Sequence, residues 1–282
     1  MSKATIGPVC QGSVAVARLD EAIAAYREGL DLQLITRFAF DGARARAWGR
    51  PELSGVPAAL LGADRTDAGT HWLELIEVPG WEPVPPFGQG GWLALEVLVT
   101  DVLALAERLV TSPFRILGEP RPLALSEKIW AMQVAGPSGE VLYLTEVKGA
   151  VPPFELPAPA RLTAERLFIA VAAVPDRDAA LAAYERLSGS QGQRFDTRVA
   201  ALQRALRQDP DTLRAVATLP LAGQSLVEID EVPELFEANA TRGAILAVRM
   251  NLADDRGSPR CTPEVWFGPG GECLEIEPVA PK

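Results

Sequence analysis

The sequence predicts an α+β fold of repeated strand and helix units, and three observations carry that prediction. The strand "WLELIEVPGW" at 72–81 returns 154 positions later as "LVEIDEVPEL" at 226–235, each copy setting a glutamate, Glu74 or Glu228, between apolar neighbours. The segment "EAIAAYREGL" (21–30) returns as "AALAAYERLS" (179–188), with Tyr26 matching Tyr184. The pair "GPSGEVLYLTEV" (136–147) and "GPGGECLEIEPV" (268–279) each open on a Gly/Pro turn before an alternating strand. Matches in the same order in both halves indicate a duplicated half.

Taken along the chain, "SVAVA" reads as a strand and leads into a helix with Leu19, Ala22, Ile23 and Tyr26 at helical spacing. The segment "DGARARAWGRPELSG" predicts a short helix ending at Gly55, and residues 72–76 predict a strand. A second strand and helix follow in "GWLALEVLVTDVLALAERL" (91–109), closed by the strand at 141–145. The other half restarts with "LFIAVAAV" and its helix. Its middle, "DTRVAALQRALRQDPDTLRAV", predicts a longer helix, which makes the third unit the most divergent. The fourth unit begins at "RGAILAVRMNL" (242–252). The Pro-rich run at 147–162 has linker composition, so the expected division is 1–150 and 160–282, joined by a linker at 151–159 with a boundary near 155.

Composition narrows the function classes. A chain of 282 residues, 48% hydrophobic, buries a substantial core. A net charge of −10 with no basic stripe argues against nucleic acid as a partner. No window has the roughly 18 apolar residues of a membrane span, and the first residues lack a secretory pattern, so no membrane partner and a cytoplasmic location are expected. Cys10, Cys261 and Cys273 are too few for a disulfide framework and read as free thiols.

Alternate residues of a strand face opposite sides. Leu73 and Leu75, Leu142 and Leu144, Val227 and Ile229, and Leu274 and Ile276 form aliphatic faces for helices to cover. The opposite faces carry Trp72 and Glu74, Tyr143, Glu228 and Glu275. A face that mixes Trp, Tyr and Glu suits a sheet curled into a cup around a ligand.

With "AIAAYREGL", "GRPELSG", "LELIEVPG" and "GPSGEVLYLTEV" in place, the chain resembles the vicinal oxygen chelate superfamily of glyoxalase I, bleomycin-resistance proteins and extradiol dioxygenases. The resemblance implies four βαβββ modules paired into two cup-shaped, incompletely closed β-barrels with helices outside. It places modules one and two in an N-terminal glyoxalase-like domain and modules three and four in a C-terminal one. It also implies metal ligands on the first and last strands of each paired module. Those positions offer Gln11, Glu74, Ala94 and Tyr143 in the first half, and Ile169, Leu246 and Glu275 in the second. Ala94 supplies no donor, and a ferrous dioxygenase needs two histidines where the chain holds one. No cofactor is expected; the alternative is a divalent metal on Gln11, Glu74 and either Glu96 or His71.

The expected site is therefore a metal-free first cup, with Glu74 as general base, Tyr143 as donor to an oxyanion, and Glu96 as the second carboxyl group. Gln11, Trp72, Trp92 and Trp130 form its wall, joined by His71 if a bulge turns that residue inward. Two carboxylates in a partly apolar cup raise at least one pKa toward neutrality. The expected function is a lyase or isomerase acting by proton abstraction on a small carbonyl compound, aromatic or polycyclic. The alternative is a bleomycin-resistance-type protein that sequesters a ligand. The second cup is expected to serve packing and a possible homodimer surface.

Overall fold

The computed structural model describes residues 5–123, 126–152, 155–236, 243–253 and 264–278. Module one comprises β1 (Ile6–Val16), α1 (Leu19–Leu30), β2 (Gln33–Ala39), α2 (Gly42–Ala47), β3 (Pro57–Gly62) and β4 (Leu73–Glu77). Module two runs β5 (Gly91–Val99), α3 (Val102–Leu109), β6 (Arg115–Leu123), β7 (Ser126–Ala135) and β8 (Val141–Val147). Module three repeats the pattern of module one in β9 (Ala164–Val174), α4 (Arg177–Ser188), β10 (Gln193–Thr197), α5 (Ala200–Ala205), β11 (Arg214–Leu221) and β12 (Ser225–Glu231). Module four contributes β13 (Ile245–Leu252), β14 (Glu264–Phe267) and β15 (Cys273–Glu277). Its middle, with Cys261, lies outside the described residues.

The helices form where the sequence caps them. Asp101 and Asp176 accept hydrogen bonds from the first backbone N–H groups of α3 and α4. Gly189 ends α4 in the left-handed conformation at φ 70°. The long helix expected at 196–216 is corrected. Only the six residues of α5 are helical, because Arg207 turns to φ 58° and Pro210 follows, and the apolar run from Arg214 is a strand. With that change α2 and α5 are equal in length, and module three is not the divergent one.

Two curled mixed sheets result, ordered β14-β15-β13-β1-β4-β3-β2 and β10-β11-β12-β9-β5-β8-β7-β6. The expectation that consecutive modules close each cup is corrected by this order. Module one joins module four through the antiparallel pair β1/β13, and module two joins module three through β5/β9. Each sheet thus takes strands from both sides of residue 155. The Pro-rich stretch packs rather than spaces, with Leu156 and Ala160 against the apolar residues of the second sheet.

The predicted alternation holds in the strand interiors. Leu73 and Leu75, Leu142 and Leu144, Val227 and Ile229, and Leu274 and Ile276 join one core with Leu19, Ile23 and Tyr26 of α1 and Leu181 and Tyr184 of α4. Each such side chain contributes roughly 1.5–3 kcal/mol on burial. The matched tyrosines do matching work. Tyr26 donates to Glu140 Oε1 at 2.6 Å and Tyr184 to Glu272 Oε1 at 2.8 Å, each tying a helix to the turn that begins the next module's last strand.

Candidate functional site

Strand register gives equivalent positions in the two cups. In the first, Ser13 lies beside Glu74 and Arg249 beside Glu275. In the second, Val171 lies beside Glu228 and Glu96 beside Tyr143. The capping helices are equivalent too: α2 and α5 begin at Gly42 and Ala200, α1 and α4 at Leu19 and Arg177, the same interval apart. The third residue of α2 is Arg44; the third residue of α5 is Leu202.

In the first cup the Arg44 guanidinium bridges both glutamates. Its Nη1 and Nη2 donate to Glu74 at 2.8 and 3.0 Å, and its Nε and Nη2 donate to Glu275, both at 2.9 Å. Phe40 and Trp48 flank it, with ring centroids 4.7 and 5.1 Å from the guanidinium carbon. Ser13 donates to Glu74 at 2.5 Å, Trp48 Nε1 donates to Glu275 at 2.8 Å, and Arg249 reaches Glu275 at 2.9 Å and Gln11 at 3.2 Å. Burial raises the pKa of Glu275, but the hydrogen bonds and charges of Arg44 and Arg249 outweigh it and hold the group below its ordinary value. Two carboxylates meet two guanidinium groups, and both oxygens of Glu74 are bonded.

The second cup carries acids without that answer. Glu96 and Tyr143 are buried, Asp230 is fully buried, and Glu228 is half-buried. Leu226, Tyr143, Ile169, Val171 and Leu202 share their apolar surroundings with Phe87 and Phe168. Thr145 donates to Glu96 at 2.7 Å. The Tyr143 hydroxyl and both Asp230 oxygens have no hydrogen-bond partner among the described residues. Burial first, and the charge of Glu228 second, push Glu96 up to about 8. Burial also holds Glu228 and Asp230 above the carboxylate range, and Tyr143 above the usual phenol range. Arg214, on the strand beside Asp230, pulls its pKa down, but donates its own hydrogen bonds to Gln203, Gln208, Glu231 O and Glu234.

The structure brings Glu96 and Tyr143 together as adjacent strand partners and sets Glu74 in the other sheet, so the expected Glu74–Tyr143 pair is not formed. Gln11 belongs with Glu74, where it accepts from Arg249. The three tryptophans pack on the helix-side core and line neither cup's polar group. Trp72 precedes β4, so strand parity does not govern it, and its indole N–H donates to Ala164 O at 3.1 Å. Trp92 is turned by the register shift between it and Ala94; it donates to Cys273 O at 2.6 Å and lines a cavity of ≈ 290 Å³ with Trp48 and Phe267. Trp130 lies opposite Glu146, with Lys148 Nζ 4.4 Å from its ring centroid. His71 turns its Nε2 to Asp64 O at 2.8 Å. Arg44, Arg249 and Asp230 escaped the sequence reading, although alternation carried one step past Glu228 reaches Asp230.

The metal implied by the family resemblance does not fit these residues. In the first cup a guanidinium stands between the two carboxylates and Arg249 holds a third position. Among the described residues no group of three or more His, Cys, Asp or Glu is placed to hold a metal ion. Among the same residues no helix is long and apolar enough to cross a membrane.

No family model and no curated protein matches the chain. Solved structures do. Glyoxalase I from Zea mays is 18% identical at a TM-score of 0.61, over 95% of this chain and 91% of that one. A candidate dioxygenase from Bacillus subtilis subsp. subtilis is 14% identical at a TM-score of 0.64, over 99% of this chain and 87% of the other. With its four modules paired into two curled sheets, the chain has the vicinal oxygen chelate fold.

Proposed function

We propose that the second cup is the working site of a metal-independent lyase or isomerase, which moves a proton beside the carbonyl of a small aromatic or polycyclic substrate. The observation supporting this is the group of Glu96, Tyr143, Glu228 and Asp230 in apolar surroundings, with the phenol and one carboxyl group unpartnered. Glu228 takes the proton from carbon, its raised pKa making it a stronger base than a solvated carboxylate. Glu96, largely protonated at neutral pH, returns a proton to the product. The Tyr143 hydroxyl, free of other bonds, donates to the oxygen on which charge develops. Positioned acid–base groups of this kind contribute about 10²- to 10⁴-fold in rate.

Deuterium incorporation next to the carbonyl, followed by NMR in D₂O across a panel of small aromatic ketones and aldehydes, tests the reading. Wild type is expected to exchange at least one compound. Glu228→Gln and Glu96→Gln are expected to lose about 100-fold or more while still binding it, and Glu74→Gln is expected to retain exchange. Exchange that survives both second-cup variants sinks the proposal. A compound that binds tightly with neither exchange nor turnover favours the sequestering alternative, which the net charge of −10 also suits.

A further inference from the structure

The chain contains its own example of what satisfies this arrangement of acids. In the first cup the position on β4 holds Glu74, and a guanidinium lies against it between Phe40 and Trp48. The equivalent of Glu74 in the second cup is Glu228. There Arg44 is replaced by Leu202, Arg249 by Glu96, and Ile76 by Asp230, which stands two residues past Glu228 as Ile76 stands two past Glu74. Two cationic positions are thus lost and, with Tyr143 in the place of Glu275, one acid is gained overall on one scaffold. Asp230 is fully buried with neither oxygen bonded among the described residues, and the buried Tyr143 hydroxyl beside Glu96 is likewise unpartnered among them. Arg214, on the strand beside Asp230, makes its hydrogen bonds to Gln203, Gln208, Glu231 O and Glu234.

We infer that the second cup binds a small organic cation, a guanidinium or protonated amine on an apolar or aromatic body, which supplies from outside what Arg44 supplies within the first cup. A group of this kind brings three to five N–H donors and a positive charge to the unbonded oxygens of Asp230 and to Glu228, to which no guanidinium is bonded among the described residues. Phe87, whose ring centroid is 6.4 Å from that of Tyr143, and Phe168 belong to the buried apolar residues around these groups. An anion of the same shape meets the charge of Glu228 and Asp230, with the Tyr143 hydroxyl as an unpartnered donor among the described residues. The inference rests on the reading that this cup is the working site, and it narrows the substrate to carbonyl compounds bearing a basic nitrogen.

Benzamidinium, benzamide and benzoate share one ring and differ in charge, so titrating each into wild-type protein by calorimetry reads the selectivity. Benzamidinium is expected to bind at least tenfold more tightly than benzamide, with no heat from benzoate. Leu202→Arg, which places the arginine of the first cup in the second, is expected to abolish benzamidinium binding. If that variant does not fold, the isosteric Glu228→Gln and Asp230→Asn carry the test with an expected tenfold loss each. Equal binding of benzamide and benzamidinium, or benzamidinium binding untouched by these substitutions, overturns the cation inference. The proton-transfer reading then still stands or falls on the deuterium exchange of Glu96→Gln and Glu228→Gln, so the two failures are distinguishable.

Discussion

Arg44 and Leu202 occupy the same place in two copies of one helix, and the difference between them separates the two cups. Around Arg44 the first cup has matched its buried charges within the chain: Glu74 and Glu275 against Arg44 and Arg249, with Trp48 and Ser13 filling remaining acceptors. Around Leu202 the second cup keeps Glu96, Glu228 and Asp230 in low-polarity surroundings. Buried acids of that kind are held at the expense of stability, as proton-transfer and binding sites commonly are. Duplication supplied one scaffold; differences at a few inward positions give one copy a cross-link and the other buried acids with no guanidinium bonded to them among the described residues.

The largest effect expected from breaking this contrast is at Arg44. Arg44→Ala leaves buried Glu74 with Ser13 alone among the described residues and Glu275 with Arg249 and Trp48, and is expected to destabilise the protein by about 3 kcal/mol or more, read by urea denaturation. A change below about 1 kcal/mol would show that the network does not hold the cup together.

The second cup has the opposite dependence on pH. Because the folded pKa of Glu96, about 8, lies above its ordinary 4.5, its protonated form favours folding. That contribution is complete below about pH 4.5 and is lost as pH rises through 8. Melting temperature should therefore fall between pH 5 and 8.5, and Glu96→Gln should flatten the decline by about 1 kcal/mol or more at the alkaline end. A steeper decline in the variant would reverse the sign assigned here.

Two smaller changes sharpen the comparison. Ser13→Ala removes a donor from a buried carboxylate in the first cup and is expected to cost about 1–2 kcal/mol in chemical denaturation. Tyr143→Phe removes a hydroxyl that has no partner, so its stability should stay within about 0.5 kcal/mol of wild type or rise, while exchange activity falls. A loss comparable to that of Ser13→Ala would mean the phenol is bonded after all.

Much of the fold was legible because its signals are local and periodic. Alternation in 141–145 and 273–277 placed Leu142, Leu144, Leu274 and Ile276 against helices, and the Tyr26/Tyr184 match marked the duplication. The site was less legible. Glu96 and Tyr143 were found together, since each is inward on its own strand and the strands are neighbours. Glu74 was assigned to them in error because inward direction does not reveal which sheet a strand joins. Trp92 misled because a register shift reverses parity at one residue.

By itself the sequence determined the module count, the aliphatic faces and the inward glutamates, since each follows from strand alternation or helical spacing over a few consecutive residues. Only the tertiary structure decided that module one closes with module four and module two with module three. That choice depends on backbone hydrogen bonds between β1 and β13 and between β5 and β9, strands far apart along the chain whose pairing leaves no local pattern. It put Arg44 and Arg249 on one pair of carboxylates and left Glu96, Glu228 and Asp230 without a guanidinium bonded to them among the described residues.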